Sequence, residues 1–156
     1  MSLVIRIATE ADAPEICETH TRAIRELCAK DYTSEQLEAW AGPRKATDYL
    51  GPIRNERLYV AEESGRVIGF GQYYEVNKEI CAIYVHPDFV RRGVARTLFK
   101  KLTEELRAKG LSRAWLDASL TSVPFYLAMG CREIEEQDHA LGSGDSIPCV
   151  KMGVDL

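Results

Sequence analysis

At 156 residues, 46% hydrophobic, 28% charged and with a net charge of −4, the chain has the make-up of one soluble globular domain with a sizeable core. The acidic balance argues against a general nucleic-acid binder, which needs a basic face for phosphate, and no apolar run approaches the ~20 residues that span a bilayer. Cys17, Cys28, Cys81, Cys131 and Cys149 are odd in number and lack a CxxC pair; without a signal-peptide pattern they suggest reduced thiols in a cytoplasmic protein. No metal site is expected, because His20, His86 and His139 are not clustered with cysteines as zinc ligands would be.

Leu3 to Thr9, LVIRIAT, is β-branched and alternates enough for a strand. From Asp12 to about Lys30, Ile16, Thr19, Ala23, Ile24 and Leu27 recur at helical spacing, with Pro14 in the first turn. TSEQLEAWAG predicts a second short helix, capped by Thr33 with Gln36 completing a capping box, and ended by Gly42-Pro43. Arg44 to Asn55 offers only a helical turn around Tyr49. RLYVAEE and RVIGFGQYYEV flank a Ser64-Gly65 turn as a hairpin, and EICAIYVH follows as a third strand. Thr97 to Lys109 is a helix with Leu98, Phe99, Leu102 and Leu106 on one face and Gly110 as its stop. SRAWLDA is a strand, with Trp115 expected in the core; SVPFYLAM is a short helix ended by Gly130, and CREIEEQ another strand. HALGSGDS is a Gly/Ser loop before the closing strand IPCVKMGV. The order β-α-α-β-β-β-α-β-α-β-β describes a single domain over 1–156, of class α/β (α+β), with helices packed on a mixed sheet.

Neither of two familiar phosphate patterns is present. There is no GxxxxGK[ST], and Gly69-Phe70-Gly71 lies inside a strand with Tyr74 where a third glycine would stand. Such strand glycines permit a bulge or a close backbone approach. VHPDFVRRGVARTLFKKL, Val85 to Leu102, has a different context, because a strand ends there and a helix begins near Gly93 or Val94. The first turn of a helix carries unpaired N–H groups and the positive end of the macrodipole. Gly93 and Ala95 leave those amides accessible, and Arg91 and Arg92 add charge suited to phosphate oxygens.

VHPDFVRRGVARTLF resembles the phosphate-binding signature of the GNAT superfamily of acyl-CoA-dependent N-acyltransferases. Gly93 and Ala95 hold its glycine and small-residue places, while Val90 replaces the usual Arg or Gln. DASLTSVPFYLAMGCRE is similar to the later motif of the family, in which a Phe-Tyr pair, here Phe125-Tyr126, precedes a glycine, here Gly130. Cys131 replaces the usual Phe, and Ser119 stands where many relatives carry an Asn against the pantetheine arm. The resemblance implies a GNAT-like, mostly antiparallel central sheet and an N-acetyltransferase that moves acetyl from acetyl-CoA to a primary amine in a ternary complex.

It further implies that Ile83, Tyr84 and Val85 lie along the pantetheine, with the Val85 N–H polarising the thioester carbonyl. Arg91, Arg92, Gly93, Val94, Ala95 and Arg96 would hold the pyrophosphate, and Tyr126 would protonate the leaving sulfur. Glu79 is the first choice of base, with Glu75 or water as alternatives; strand alternation would put Glu79, Cys81, Ile83 and Val85 on one face. Tyr32, Trp40 and Tyr49 are candidates for an acceptor wall, although for Trp40 packing of the second helix onto the sheet is the favoured reading, and residues 138–146 form a candidate cover. The acceptor is a small amine or a protein amine, and a homodimer through the C-terminal strands is a family-level expectation. The competing reading is an acyl-CoA-binding module that does not turn its ligand over.

Overall fold

The computed structural model describes residues 2–156. Strand β1 (Leu3–Ile7) leads through a short 3-10 turn into α1 (Ala13–Leu27), α2 (Ser34–Ala41) and the five-residue α3 (Leu50–Arg54). β2 (Leu58–Glu63), β3 (Arg66–Tyr74) and β4 (Glu79–Val85) follow as a meander, then α4 (Val94–Ala108), β5 (Arg113–Ser119), α5 (Val123–Ala128), β6 (Arg132–Ala140) and β7 (Ser146–Asp155). The seven strands form one sheet in the order β1-β2-β3-β4-β5-β7-β6, antiparallel everywhere except between β4 and β5. The expected mixed, mostly antiparallel sheet flanked by helices is therefore present.

Local chemistry accounts for most of the boundaries. The Thr33 hydroxyl accepts the Gln36 N–H at 3.1 Å while Gln36 Oε1 accepts the Thr33 N–H at 2.9 Å, so the capping box starts α2 as its sequence predicts. α1 stops at Leu27, short of the expected Lys30, because the chain turns to bury Tyr32, whose hydroxyl donates to Pro148 O at 2.7 Å and accepts from Leu120 N at 2.9 Å. The stretch 44–55 is more helical than its pattern suggested, forming a 3-10 turn and then α3. The Gly/Ser loop is shorter than expected: His139↔Ile147 and Ala140↔Ser146 are ladder pairs, and the connection is only 141–145.

The sheet buries both faces. Phe99, Leu102 and Leu106 of α4 pack with Ile80, Leu116, Val150 and Met152 on one side. On the other, Ile16 of α1 meets Val60 and Phe70, and Ile24 packs with Trp40 of α2 and with Ile147. Trp115 is the exception to the expected core. Ala114, Leu116 and Ala118 are the β5 residues that face α4, so the alternation turns Trp115 to the opposite side. There it is only half-buried, with Nε1 donating to Asn77 O at 2.8 Å and Lys151 Nζ 5.0 Å from its ring centre.

Candidate active site

β4 and β5 share a single ladder pair, Glu79↔Trp115, and then part. Beyond that pair β4 keeps β3 on its outer side, while β5 pairs with β7 from Arg113 to Ser119. The divergence opens a cavity of about 580 Å³ between them, walled by Ala23, Leu27, Cys28 and Lys30 from the α1 side. Its position at a parting of strands is a recurrent place for ligands in open α/β sheets. Of the residues singled out in the sequence, Ile83, Tyr84, Val85, Arg91, Gly93, Val94, Ala95, Arg96, Ser119 and Tyr126 all line it. Arg92 does not; its guanidinium reaches Glu63 at 3.2 Å and lies over the Phe89 ring.

The free edge of β4 supplies backbone groups. The His86 N–H donates to Ile68 O on β3 at 2.8 Å, and successive residues of a strand point their N–H groups to alternate sides. The N–H groups of Val85 and Ile83 therefore face the opening. His86 itself is 2% exposed and takes the Asp88 N–H on Nδ1, which caps the Pro87–Phe89 turn into α4.

Arg91 (φ 63°) and Gly93 (φ 80°) are both left-handed, and they swing the chain so that α4 starts with its axis at the cavity mouth. A Cβ on Gly93 would touch nothing within 4 Å, so glycine is needed there for its φ and not for space. No side chain caps α4, and the first intrahelical donor is Thr97 N to Gly93 O at 3.0 Å. The amides of Val94, Ala95 and Arg96 are thus left to meet an anion, in a cavity that Arg91 also lines.

Tyr126 lines the same cavity from α5. It is 6% exposed, and its ring is held by Phe125 and Phe99 at centroid distances of 5.1 and 6.1 Å. Among the described residues no side chain or backbone group hydrogen-bonds its hydroxyl. Burial, with a smaller contribution from Cys131, holds its pKa above the ordinary tyrosine value, so the proton stays on. The Ser119 hydroxyl donates to Ser122 Oγ at 2.9 Å and accepts the Ser122 N–H at 3.2 Å, fastening the entry to α5 at the cavity edge.

The carboxylates are arranged differently from their sequence reading. A bulge between Gln72 and Tyr73 leaves Cys81 unpaired and shifts the phase of β4. Ile80 packs with Phe99 and Leu102 on the α4 side, as do Ile83 and Val85 with that helix, while Glu79 turns to the opposite face. The expected common face of Glu79, Cys81, Ile83 and Val85 is therefore broken. Glu79 is half-buried beside the cavity without lining it, and burial raises its pKa; the Asn77 hydrogen bond opposes, nearby Asp117 adds and His139 opposes. Glu75 is held by Arg57 at 3.0 and 3.3 Å, which lowers its pKa.

Asp117 is the acid that does line the cavity, and it was not singled out from sequence. It lies two residues before Ser119 on the same face of β5, a signal that only the alternation from Ser119 offers. Gln137 donates to its Oδ1, and His139 Nδ1 is 3.0 Å from its Oδ2. The proposed acceptor wall is not part of the cavity. Tyr32 and Trp40 pack against each other at 5.4 Å, and the Tyr49 hydroxyl binds buried His20 Nδ1 at 2.8 Å. Residues Leu141 to Ser143 instead border a smaller cavity, of about 280 Å³, with Trp40 and Arg44.

Residues 21–131, from the second half of α1 to just past α5, match the acetyltransferase (GNAT) family. The chain belongs to that family. GNAT relatives match nearly its full length: the uncharacterized N-acetyltransferase YafP of Escherichia coli (strain K12) is 26% identical over 87% of this chain and 85% of its own. The thialysine N-epsilon-acetyltransferase of Sus scrofa is 28% identical over 88% of each. A GCN5-related N-acetyltransferase structure from Rhodopseudomonas palustris superposes with a TM-score of 0.92 at 25% identity, covering 100% of this chain and 97% of the other. The GNAT fold is shared as well with a Salmonella typhimurium structure holding acetyl-CoA, at a TM-score of 0.75 and 19% identity over 100% and 95% of the two chains. The protein is thus a GNAT acyltransferase, and among the described residues no helix is long and apolar enough to cross a membrane.

Proposed function

We propose that the enzyme transfers the acetyl group of acetyl-CoA to a primary amine by direct attack within a ternary complex. The observation that carries this reading is one cavity with three parts: the uncapped amides of α4, the free edge of β4, and the buried Tyr126 of α5. The pyrophosphate binds the Val94, Ala95 and Arg96 amides with Arg91 and Arg96 beside it, and the pantetheine runs along Ile83 to Val85 as an added strand. The amine nitrogen attacks the thioester carbonyl, the Val85 N–H bears the oxyanion, and the C–S bond then breaks. Tyr126 protonates the departing thiolate. Glu79 takes the proton from the amine through water, while Asp117 receives the incoming ammonium at the cavity wall.

A primary amine as acceptor is supported by the Sus scrofa relative, a thialysine N-epsilon-acetyltransferase. Five free cysteines fit a reducing, cytoplasmic setting. The edge strand β6, with Ile134 52% exposed, offers a surface for a two-fold dimer.

The test is thiol release from acetyl-CoA across a panel of small amines and peptide amines, with Tyr126→Phe alongside. Turnover on one amine class, falling by about 10²- to 10⁴-fold in kcat for the variant with little change in KM for acetyl-CoA, is expected. Equal activity in the variant removes Tyr126 from its role. Acetyl-CoA that raises the melting temperature without any turnover favours a binding module instead.

A further inference from the structure

Three adjacent strands deliver three metal-binding side chains to one point. Asp117 on β5, Cys149 on β7 and His139 on β6 come from neighbouring rungs, through the ladder pairs Ser119↔Cys149 and Gln137↔Cys149. The alternation of all three strands turns these side chains to the face away from α4. Their ligating atoms lie within 4.8 Å of one another, with His139 Nδ1 and Asp117 Oδ2 already 3.0 Å apart. The chemistry is mixed: a thiol, an imidazole and a carboxylate, the donor set that zinc takes and that magnesium or calcium does not. A tetrahedral zinc ion with bonds of about 2.0–2.3 Å sets its donors about 3.3–3.8 Å apart, so a shift of roughly 1 Å closes the group around it.

The surroundings favour a ligand role over packing alone. Gln137 donates to the other carboxylate oxygen of Asp117, which fixes that group and leaves Oδ2 towards His139. Cys149 is 3% exposed, and its sulfur lies within 4.8 Å of the Asp117 and His139 ligating atoms on the same face of the sheet. His139 is 43% exposed at the side chain, which gives a cation a way in and leaves the fourth coordination position open to water.

We propose that Asp117, His139 and Cys149 form a zinc-binding site at the edge of the active-site cavity, which shares Asp117 with it. Binding exchanges the Cys149 S–H bond for a Zn–S bond, with the proton passing to solvent, and replaces the hydrogen bond between His139 and Asp117 by two metal bonds. Nothing is oxidised or reduced. Because Asp117 also lines the cavity, zinc occupancy withdraws its carboxylate from the incoming amine and inhibits acyl transfer. That consequence rests on the acyltransferase reading, whereas the metal site does not.

The test uses Co²⁺ as a spectroscopic stand-in on the metal-free full chain. One equivalent is expected to give tetrahedral visible absorption and a thiolate-to-cobalt charge-transfer band, both abolished by added Zn²⁺. Cys149→Ser is expected to lose the band. His139→Ala, at a half-exposed position near the end of β6, is expected to weaken Zn²⁺ binding by more than about 100-fold, beyond the effect of an outer-shell partner, with an unchanged circular dichroism spectrum showing that the fold is kept. Calorimetry in buffers of different ionisation enthalpy should show about one proton released per zinc. No charge-transfer band, or a band that survives Cys149→Ser because another cysteine supplies it, overturns the site. Zn²⁺ inhibition that is present in the wild type and absent in Cys149→Ser extends the proposal to catalysis; turnover absent in every protein, with the cobalt signal intact, faults the acyltransferase reading and leaves the metal site standing.

Discussion

A Cβ added to Gly69 would lie 3.0 Å from Val94 Cγ1 and 3.2 Å from the Tyr84 carbonyl oxygen. Gly71 stands in the same relation to Leu102 Cδ1, at 3.0 Å. The two strand glycines let α4 sit directly on β3, and through Val94 they set where the anion-binding end of that helix lies. Gly69→Ala is expected to cost about 1–3 kcal/mol by overpacking, since the Tyr84 backbone cannot move aside as a flexible side chain would. Chemical denaturation measures that loss, and KM for acetyl-CoA should rise more than kcat falls.

Gly93 offers a contrast, because its surroundings are open and its φ of 80° is the constraint. Gly93→Ala is expected to cost about 1–2 kcal/mol for a left-handed alanine and to turn the α4 amides away from the cavity. The stabilisation of the fold by saturating acetyl-CoA, read as a shift in Tm, should shrink. Gly93→Asn, which tolerates this conformation better, should retain more of it.

Asp12 and Arg6 form a two-armed ion pair at 2.8 and 2.9 Å, and Asp12 also accepts the Thr9 N–H at 2.8 Å. The Arg6 guanidinium holds the Asp12 carboxyl below the ordinary aspartate value, against its burial. Its contribution is therefore complete above the ordinary pKa of about 3.9 and is lost as pH falls through the lower folded value. Asp12→Asn should destabilise the protein by about 1.5–3 kcal/mol at neutral pH and flatten the acid limb of its stability profile.

Glu79 has the opposite sign. Burial raises its pKa, so the folded state favours the protonated acid, and ionisation costs stability at pH above the raised value. That cost vanishes below the ordinary carboxylate range. Glu79→Gln is accordingly expected to leave Tm at neutral pH unchanged or higher while lowering kcat/KM, and to remove the acidic inflection from the pH–rate profile. A fall in Tm at neutral pH together with full activity would show that its contacts are structural and that the base lies elsewhere.

What the sequence determined by itself was local and covalent in its spacing. The capping box at Thr33 and Gln36, the apolar stripe of α4, the Gly93 turn and the Phe125-Tyr126 pair are short-range patterns, and each took the form its spacing implied. Family resemblance then placed Ile83 to Val85 and the α4 amides around one ligand, where the cavity gathers them. What only tertiary structure decided depends on partners distant in the chain. The bulge at Cys81 that turns Glu79 away exists because β4 must pair with β3, and no pattern within β4 announces it. Trp115 left the core because its neighbours Ala114 and Leu116 took the buried face. Asp117, His139 and Cys149 lie far apart in sequence and meet only because β7 inserts between β5 and β6, since strand order is fixed by burial of the whole sheet and not by any one strand.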